Sequence, residues 1–286
     1  MVREHRKYVV PEIITGDDAR IYAGRYASNF HSNTVLLATD ESIFRQKWMR
    51  EILQGLDEAG TEYVVFSDIE ENPPRDYNVM AGADVYLSEE CTGILAIGGG
   101  SVLDCAKGIG IVAANGGTIL DYVGVDQVRN PMPPLICVPT TAGSAADVSQ
   151  YAVIRNADKK AKNIIISKSL VPDVSLLDTV PLMTQPKDVT VNSGIDALTH
   201  AIEAYVSNGA SHLSDMMALE SITLSAGFFP FSVDRADDPD SRFQSLMASM
   251  YAGIAFSNAG LGLIHAMSHA IGGLYDLPPM ELPVQS

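Results

Sequence analysis

Basic residues are scarce in this chain of 286 residues: 19 Lys and Arg stand against 35 Asp and Glu, for a net charge of −16. Phosphate backbones are gripped by clustered Lys and Arg. No such cluster occurs here, so no nucleic-acid partner is expected. Cysteine is equally sparse. Cys91, Cys105 and Cys137 lie far apart in apolar surroundings, which reads as buried thiols in a reducing, cytoplasmic setting rather than a disulfide framework. No uninterrupted apolar run reaches the roughly 18 residues of a membrane span, so no membrane partner is expected. The charged start, Met1-Val2-Arg3-Glu4-His5-Arg6-Lys7, leads into no apolar stretch of the secretory kind. Internal repeats and low-complexity linkers are absent as well.

What the chain does have is a hydrophobic fraction of 47%, enough at this length for about two domains with real cores. Its two parts differ in pattern. Short apolar runs alternate with amphipathic stretches as far as residue 180. Thr34–Thr39, Tyr63–Phe66, Gly93–Ile97, Leu135–Val138, Tyr151–Ile154, Ile164–Ile166 and Val174–Leu177 read as strands. Helices are expected near Ile43–Ala59, Asp76–Glu90 and Val102–Ala114. Near-continuous apolar strands between helices demand a parallel sheet covered on both faces. The β pattern stops in the segment from Pro181 to Pro186. Helical periodicity then takes over, with Ile195, Leu198, Ile202 and Tyr205 on one stripe and long helices around Leu213–Ala226 and Phe243–Phe256. An α/β domain over residues 1–180 and a helical domain over 181–286 are therefore expected.

Several short segments carry chemistry. Gly98-Gly99-Gly100-Ser101 joins an apolar strand to a helix, where backbone N–H groups and the helix N-terminus favour an anion. Ser101 and Asp104 have the spacing of a near-capping box. The same four residues also suit an ordinary strand-to-helix turn. Asp40 ends an earlier strand. Its carboxylate can bind a ribose diol and repel a 2′-phosphate, or simply cap the helix that follows. Thr140-Thr141-Ala142-Gly143-Ser144 forms a second hydroxyl-rich turn. Asp196 and His200 are one helical turn apart, opposite the Ile195 stripe, and His265 and His269 repeat the arrangement opposite Ile264, Met267, Ile271 and Leu274. Such pairs suit a divalent metal with mixed N and O ligands, or two solvated polar faces.

Four segments together resemble the iron-containing (group III) alcohol dehydrogenase family. They are Gly98-Gly99-Gly100-Ser101 with Asp104, Ala106 and Lys107; Pro139-Thr140-Thr141-Ala142-Gly143-Ser144; the run from Gly194 to Tyr205; and the run from His265 to Asp276. The resemblance spans about Pro11 to Pro278. It implies a Rossmann-like NAD-binding domain over 1–180, followed by an incomplete all-helical metal domain over 181–286, with a cleft between them. It implies Asp196, His200 and His265 as metal ligands and His269 as a proton carrier near the nicotinamide. Asp40, Asn72, Gly99, Gly100, Ser101, Asp104, Thr140, Thr141, Ser144 and Lys162 match cofactor-binding positions. The implied reaction passes a hydride between a small alcohol or aldehyde and NAD, with Fe²⁺, or alternatively Zn²⁺, as the metal.

Three departures accompany the resemblance. Pro279 stands where the family has a fourth, histidine ligand, which leaves three protein ligands and an expectation of weak iron binding. The family's helical domain also continues beyond the length seen here, so a truncated member with uncovered apolar helices, prone to self-association, is expected. Extra C bases within a Pro-His-Gly codon run would produce the text Pro278-Pro279-Met280-Glu281. Finally, Ala145-Ala146-Asp147 replaces Gly-Ser-Glu and removes a hydroxyl. A catalytically impaired, dinucleotide-binding regulator is the alternative these departures leave open.

Overall fold

Runs of Val, Ile and Leu that are apolar at every residue are satisfied only as strands buried on both faces, and that is where they lie. The computed structural model describes residues 8–69 and 74–275. Asn72 and Pro279 lie outside the described residues. The α/β part runs β1 (Glu12–Thr15), α1 (Ala23–Asn29), β2 (Thr34–Thr39), α2 (Glu41–Phe44), α3 (Met49–Glu58), β3 (Glu62–Phe66), α4 (Asp76–Ser88), β4 (Gly93–Gly98) and α5 (Gly100–Asn115). It continues through β5 (Gly124–Val125), β6 (Leu135–Pro139), β7 (Tyr151–Asn156), β8 (Ala161–Ile166) and β9 (Val174–Leu177). After Leu177 every described element is helical: α6 (Thr179–Met183), α7 (Lys187–Val206), α8 (His212–Asp234), α9 (Pro239–Ala259) and α10 (Leu263–Tyr275).

The main sheet has the order β1-β9-β6-β4-β2-β3, and every pairing is parallel. Alternation of side chains divides its core into two layers. Leu36, Ala38, Ile94 and Ala96 pack with Val79 of α4 and Ile109 of α5 on one face. Val35, Leu37, Leu95 and Ile97 pack with Ala27 of α1 and Ile52 and Leu56 of α3 on the other. Burying each such side chain contributes roughly 1.5–3 kcal/mol, so these strands are the most strongly fixed part of the molecule. Because β3 lies to one side of β2 and β4 to the other, the chain reverses direction across the sheet between β2 and β4. A crevice opens at the carboxyl ends of strands at such a reversal.

Two expectations are corrected here. The runs at Tyr151 and Ile164 do not join the parallel sheet. They form an antiparallel pair within a separate sheet of order β5-β8-β7. The short turn between them leaves no room for the crossover that parallel pairing requires. The stretch from Ile43 to Ala59 is two helices, α2 and α3, rather than one.

In the helical part, α8 is the longest described helix, and Asp215 and Glu220 interrupt its apolar residues, so the expectation of no uninterrupted apolar run stands. It is long and apolar enough to cross a membrane by length and composition alone. It packs against α7 and α9 through small residues. Ser214, Ala218, Ser221 and Ser225 face inwards, and Ser221 donates from Oγ to the Ala248 carbonyl at 2.7 Å. Its larger residues, Leu213, Met216, Leu219 and Phe231, are exposed, as are Ile202 and Tyr205 on α7 and Met267 and Leu274 on α10. On α7 and α10 the polar faces turn inwards and the apolar stripes outwards, which reverses the usual arrangement.

Candidate active site

The glycine turn is fixed by what crowds it. A Cβ at Gly100 would sit 2.7 Å from Ser144 Oγ, and one at Gly99 would sit 3.2 Å from Thr141 Cγ2. The turn after β4 and the hydroxyl-rich turn after β6 are therefore packed on each other, and the Thr140 N–H donates to the Gly98 carbonyl at 3.0 Å. The N-cap residue of α5, Gly99, makes no side-chain cap, and a helix N-terminus favours an anion. Asp40, at the end of the neighbouring β2, does cap its own helix. Its Oδ1 accepts from the Ile43 N–H at 2.9 Å and from Ser42 Oγ at 2.6 Å. It lines the same cleft as the glycine turn, so both readings of this carboxylate are compatible.

Asp104, one turn into α5, accepts from the Val153 N–H at 3.1 Å. Burial pushes its carboxyl up to about 6, with the neighbouring Lys107 opposing. Lys107 itself is fully buried and donates to the carbonyls of Ser149 at 2.8 Å and Tyr151 at 2.7 Å, tying α5 to the start of β7. Because the folded Asp104 holds its proton to higher pH than the unfolded chain, its contribution to stability falls as pH rises from about 4 to about 6. Asp104→Asn is expected to flatten the pH dependence of the thermal midpoint across that window. A midpoint that still falls equally steeply would contradict this.

At the other end of the cleft stand the imidazoles. Gly143 lets the hydroxyl-rich turn reach α7, since a Cβ there would lie 2.7 Å from Ser193 Cα. Gly260, at φ 84, ends α9, and the chain bends by 97° into α10. Gly273 then lets α10 sit on β8, where a Cβ would meet the Lys162 backbone nitrogen at 3.0 Å. The result brings Asp196, His200 and His265 together, with potential ligand atoms all within 4.8 Å of one another and all three residues buried. His265 Nε2 is 3.5 Å from Asp196 Oδ1, and His200 Nδ1 is 3.8 Å from Asp196 Oδ2. The rings of His200 and His265 stack at 4.2 Å, with Phe256 against the first at 4.4 Å.

A divalent cation fits this set. His200 Nδ1 and His265 Nε2 are buried without a hydrogen-bond partner beside a carboxylate, a costly arrangement that a metal would satisfy. Burial pushes His200 down to about 4, although Asp196 opposes, so its ring is neutral and its nitrogen lone pair free near neutral pH. Burial acts on His265 in the same sense, but Asp196 and Glu203 outweigh it and raise its pKa.

Glu203 has a part that the sequence reading did not assign. Its carboxylate accepts from the N–H groups of Gly262 at 2.9 Å and Ile264 at 2.7 Å, capping the start of α10. Its Oε2 lies 2.6 Å from His265 Nδ1, which fixes that nitrogen as the protonated one and turns Nε2 towards Asp196. The signal was one turn of helix beyond His200, but only the bend at Gly260 shows what it meets.

His269 lines the cleft beside these groups, and its Nδ1 is buried without a partner. Burial, Lys162 and His265 pull its imidazole down to about 4, well below the ordinary value of roughly 6.5 expected from the sequence. Lys162, on β8, is pulled down to about 8 by burial and Arg155, with Asp196 opposing. It lies beneath the imidazole cluster rather than with the glycine turn. All the other cofactor candidates described here, Gly99, Gly100, Ser101, Asp104, Thr140, Thr141 and Ser144, line one cleft of about 510 Å³ together with Asp40, Asp196, His200, His265 and His269. Ala145, at φ 50, and Ala146 are buried beneath the hydroxyl-rich turn. The Asp147 carboxylate turns inwards to accept from Ser175 Oγ at 2.7 Å.

Comparison with known proteins adds an independent finding. The sequence profile of the family described as iron-containing alcohol dehydrogenase matches residues 11–179, and that of the family's C-terminal region matches 190–280. The 1,3-propanediol dehydrogenase of Citrobacter freundii is 39% identical over 274 residues, which is 95% of this chain and 70% of that protein. The NAD-dependent methanol dehydrogenase of Bacillus methanolicus is 36% identical, with 94% and 71% covered. Among solved structures, a 1,3-propanediol oxidoreductase superimposes with a TM-score of 0.94 at 37% identity, over 98% of this chain and 73% of that one.

Proposed function

We infer what this cleft does from one premise: this chain belongs to the iron-containing alcohol dehydrogenase family. It is a metal-dependent oxidoreductase that passes a hydride between an alcohol and NAD, giving an aldehyde or ketone in the oxidative direction. Family membership implies iron and NAD(H) as its cofactors. Zn²⁺ is the alternative metal, and metal analysis of the purified protein separates the two. The single observation that carries the reading is one cleft with a glycine turn at one end and buried Asp196, His200 and His265 at the other.

In this reading the metal is held by Asp196, His200 and His265, where it would polarise the alcohol oxygen and lower its pKa. The chain supplies the rest. Asp196 brings the negative charge that offsets a divalent cation, and His200 and His265 bring nitrogen donors, His265 giving up its Nε2 proton as the metal binds. Glu203 keeps the proton on His265 Nδ1. His269 Nδ1 accepts the proton leaving the alcohol. A group pulled down to about 4 does not keep that proton near neutral pH, so it passes the proton towards water. The first turn of α5 and Ser101, Thr140, Thr141 and Ser144 hold the cofactor's phosphates. Asp40 takes the ribose diol, which favours NAD over NADP.

Substrates are small alcohols or aldehydes, the class named for the relatives. Free buried thiols suit a reducing, cytoplasmic compartment. The exposed apolar faces of α7, α8 and α10 are read as self-association surfaces, to be checked by sedimentation.

An absorbance assay for NADH with a panel of alcohols, with and without Fe²⁺, tests the reading. Alcohol-dependent NADH formation that requires the metal is expected, and nucleotide binding with no turnover on any alcohol would contradict it. Gly100→Val is expected to weaken NAD binding by about 10-fold or more while leaving Fe²⁺ binding unchanged. The added side chain would displace Ser144 and block the close approach of backbone N–H groups. Titration of each ligand separately distinguishes the two effects.

A further inference from the structure

A second, smaller cavity is enclosed by α7, α8, α9, Leu182 and Gln185 before α7, and Ala142 of the hydroxyl-rich turn; of its lining residues only Gln185 also lines the cleft. Its volume is about 10 Å³, room for about one water-sized body. Arg242 of α9 reaches into it and is only 1% exposed. Two of its three guanidinium nitrogens have acceptors and one has none. Nη1 donates to Thr190 Oγ1 at 2.7 Å and to Gln185 Oε1 at 3.5 Å, and Nε donates to the Ala236 carbonyl at 3.2 Å. Nη2 is buried with no acceptor. Beside it, the hydroxyls of Ser232 on α8 and Ser245 on α9 are also buried with no partner, and both residues line the cavity.

These atoms share one property. Each can donate a hydrogen bond, and no carboxylate lines the cavity or pairs with Arg242 among the described residues. A buried guanidinium without a counter-charge is one of the most expensive groups a core can hold. Burial pulls its pKa below the usual guanidinium value, yet arginine stays charged at any physiological pH. A water molecule accepts only two hydrogen bonds and would leave the charge uncompensated. A monatomic anion accepts from all three donors and compensates the charge.

We propose that Arg242, Ser232 and Ser245 form a binding site for one small halide-sized anion, with chloride as the physiological occupant. The ion sits where three long helices meet and locks their packing. None of Asp196, His200, His265 and the glycine turn lines this cavity, and the ion takes no part in the reaction.

Bromide replaces chloride in such a site and scatters anomalously, so crystals of the unaltered protein grown in sodium bromide give the direct test. A bromide peak within hydrogen-bonding reach of Arg242 Nη2 is expected. A water there, with no anomalous signal, would overturn the proposal. In solution, the thermal midpoint in sodium chloride is expected to exceed that in sodium gluconate of equal ionic strength by about 2–4 °C, and to saturate with chloride concentration. The Ser232→Ala/Ser245→Ala double variant removes only unpartnered hydroxyls, so it is expected to fold and to lose most of this difference. Equal midpoints in the two salts, or an undiminished difference in the variant, would also overturn the proposal.

Discussion

Asp196→Asn is expected to abolish alcohol-dependent NADH formation, with a fall of about 10³-fold or more, and to weaken Fe²⁺ binding at least about 100-fold. The substitution keeps the size and shape of a buried side chain and removes one charge. That charge is the only negative one among the three grouped residues, and His200 is held neutral. A divalent ion in a buried site loses its hydration and has to recover that energy from its ligands. Two imidazoles and an amide offer no net negative charge with which to do so. Lewis-acid polarisation of an alcohol is worth several kcal/mol, and each 1.36 kcal/mol is a factor of ten in rate. NAD affinity should hardly change, since Asp40 and the glycine turn occupy the other end of the cleft. A variant that binds Fe²⁺ and turns over like the parent would remove Asp196 from the site.

The second large effect is expected at Glu203, which does not line the cleft but holds His265 at one end of it. Its carboxylate gathers the N–H groups of Gly262 and Ile264 and the Nδ1 of His265. Gly262 is what permits this approach, since a Cβ there would lie 2.8 Å from Glu203 Oε1. Glu203→Ala leaves three donors without this acceptor, and the buried one, His265 Nδ1, costs about 1–3 kcal/mol when unsatisfied. His265 is then free to turn or to carry its proton on Nε2, the nitrogen that faces Asp196. We expect Fe²⁺ binding to weaken about 10–100-fold and kcat to fall, while KM for NAD stays near the parent value. Glu203→Gln retains one acceptor oxygen and should fall between the two. Equal loss of metal binding and NAD binding would instead indicate general unfolding around α10.

Much of this could be read in the sequence, because local periodicity carries it. Apolar runs gave the strands of the parallel sheet, and the four-residue spacing of Asp196 with His200 and of His265 with His269 placed each pair on one helix face. The edge strand β1 escaped notice since its four residues, Glu12 to Thr15, are exposed at both ends and show no apolar run. The antiparallel pairing of β7 with β8 was not visible either, because strand propensity says nothing about direction. What the sequence could not show is whatever depends on two distant segments meeting. Glu203 acts through a bend of 97° that lies beyond α9. Lys107 is a surface residue by type, and only the approach of β7 explains its burial. Burial likewise carries His269 far below the value its residue type suggests. Arg242 acquires its meaning only when three helices enclose it.

The account rests on a metal held jointly by two helices within reach of the nucleotide turn. Crystals loaded anaerobically with Fe²⁺ and measured at the iron absorption edge test it most directly. One iron in direct coordination with Asp196, His200 and His265 is the expected result. Iron bound elsewhere, or iron that one of these three residues does not touch, would contradict it.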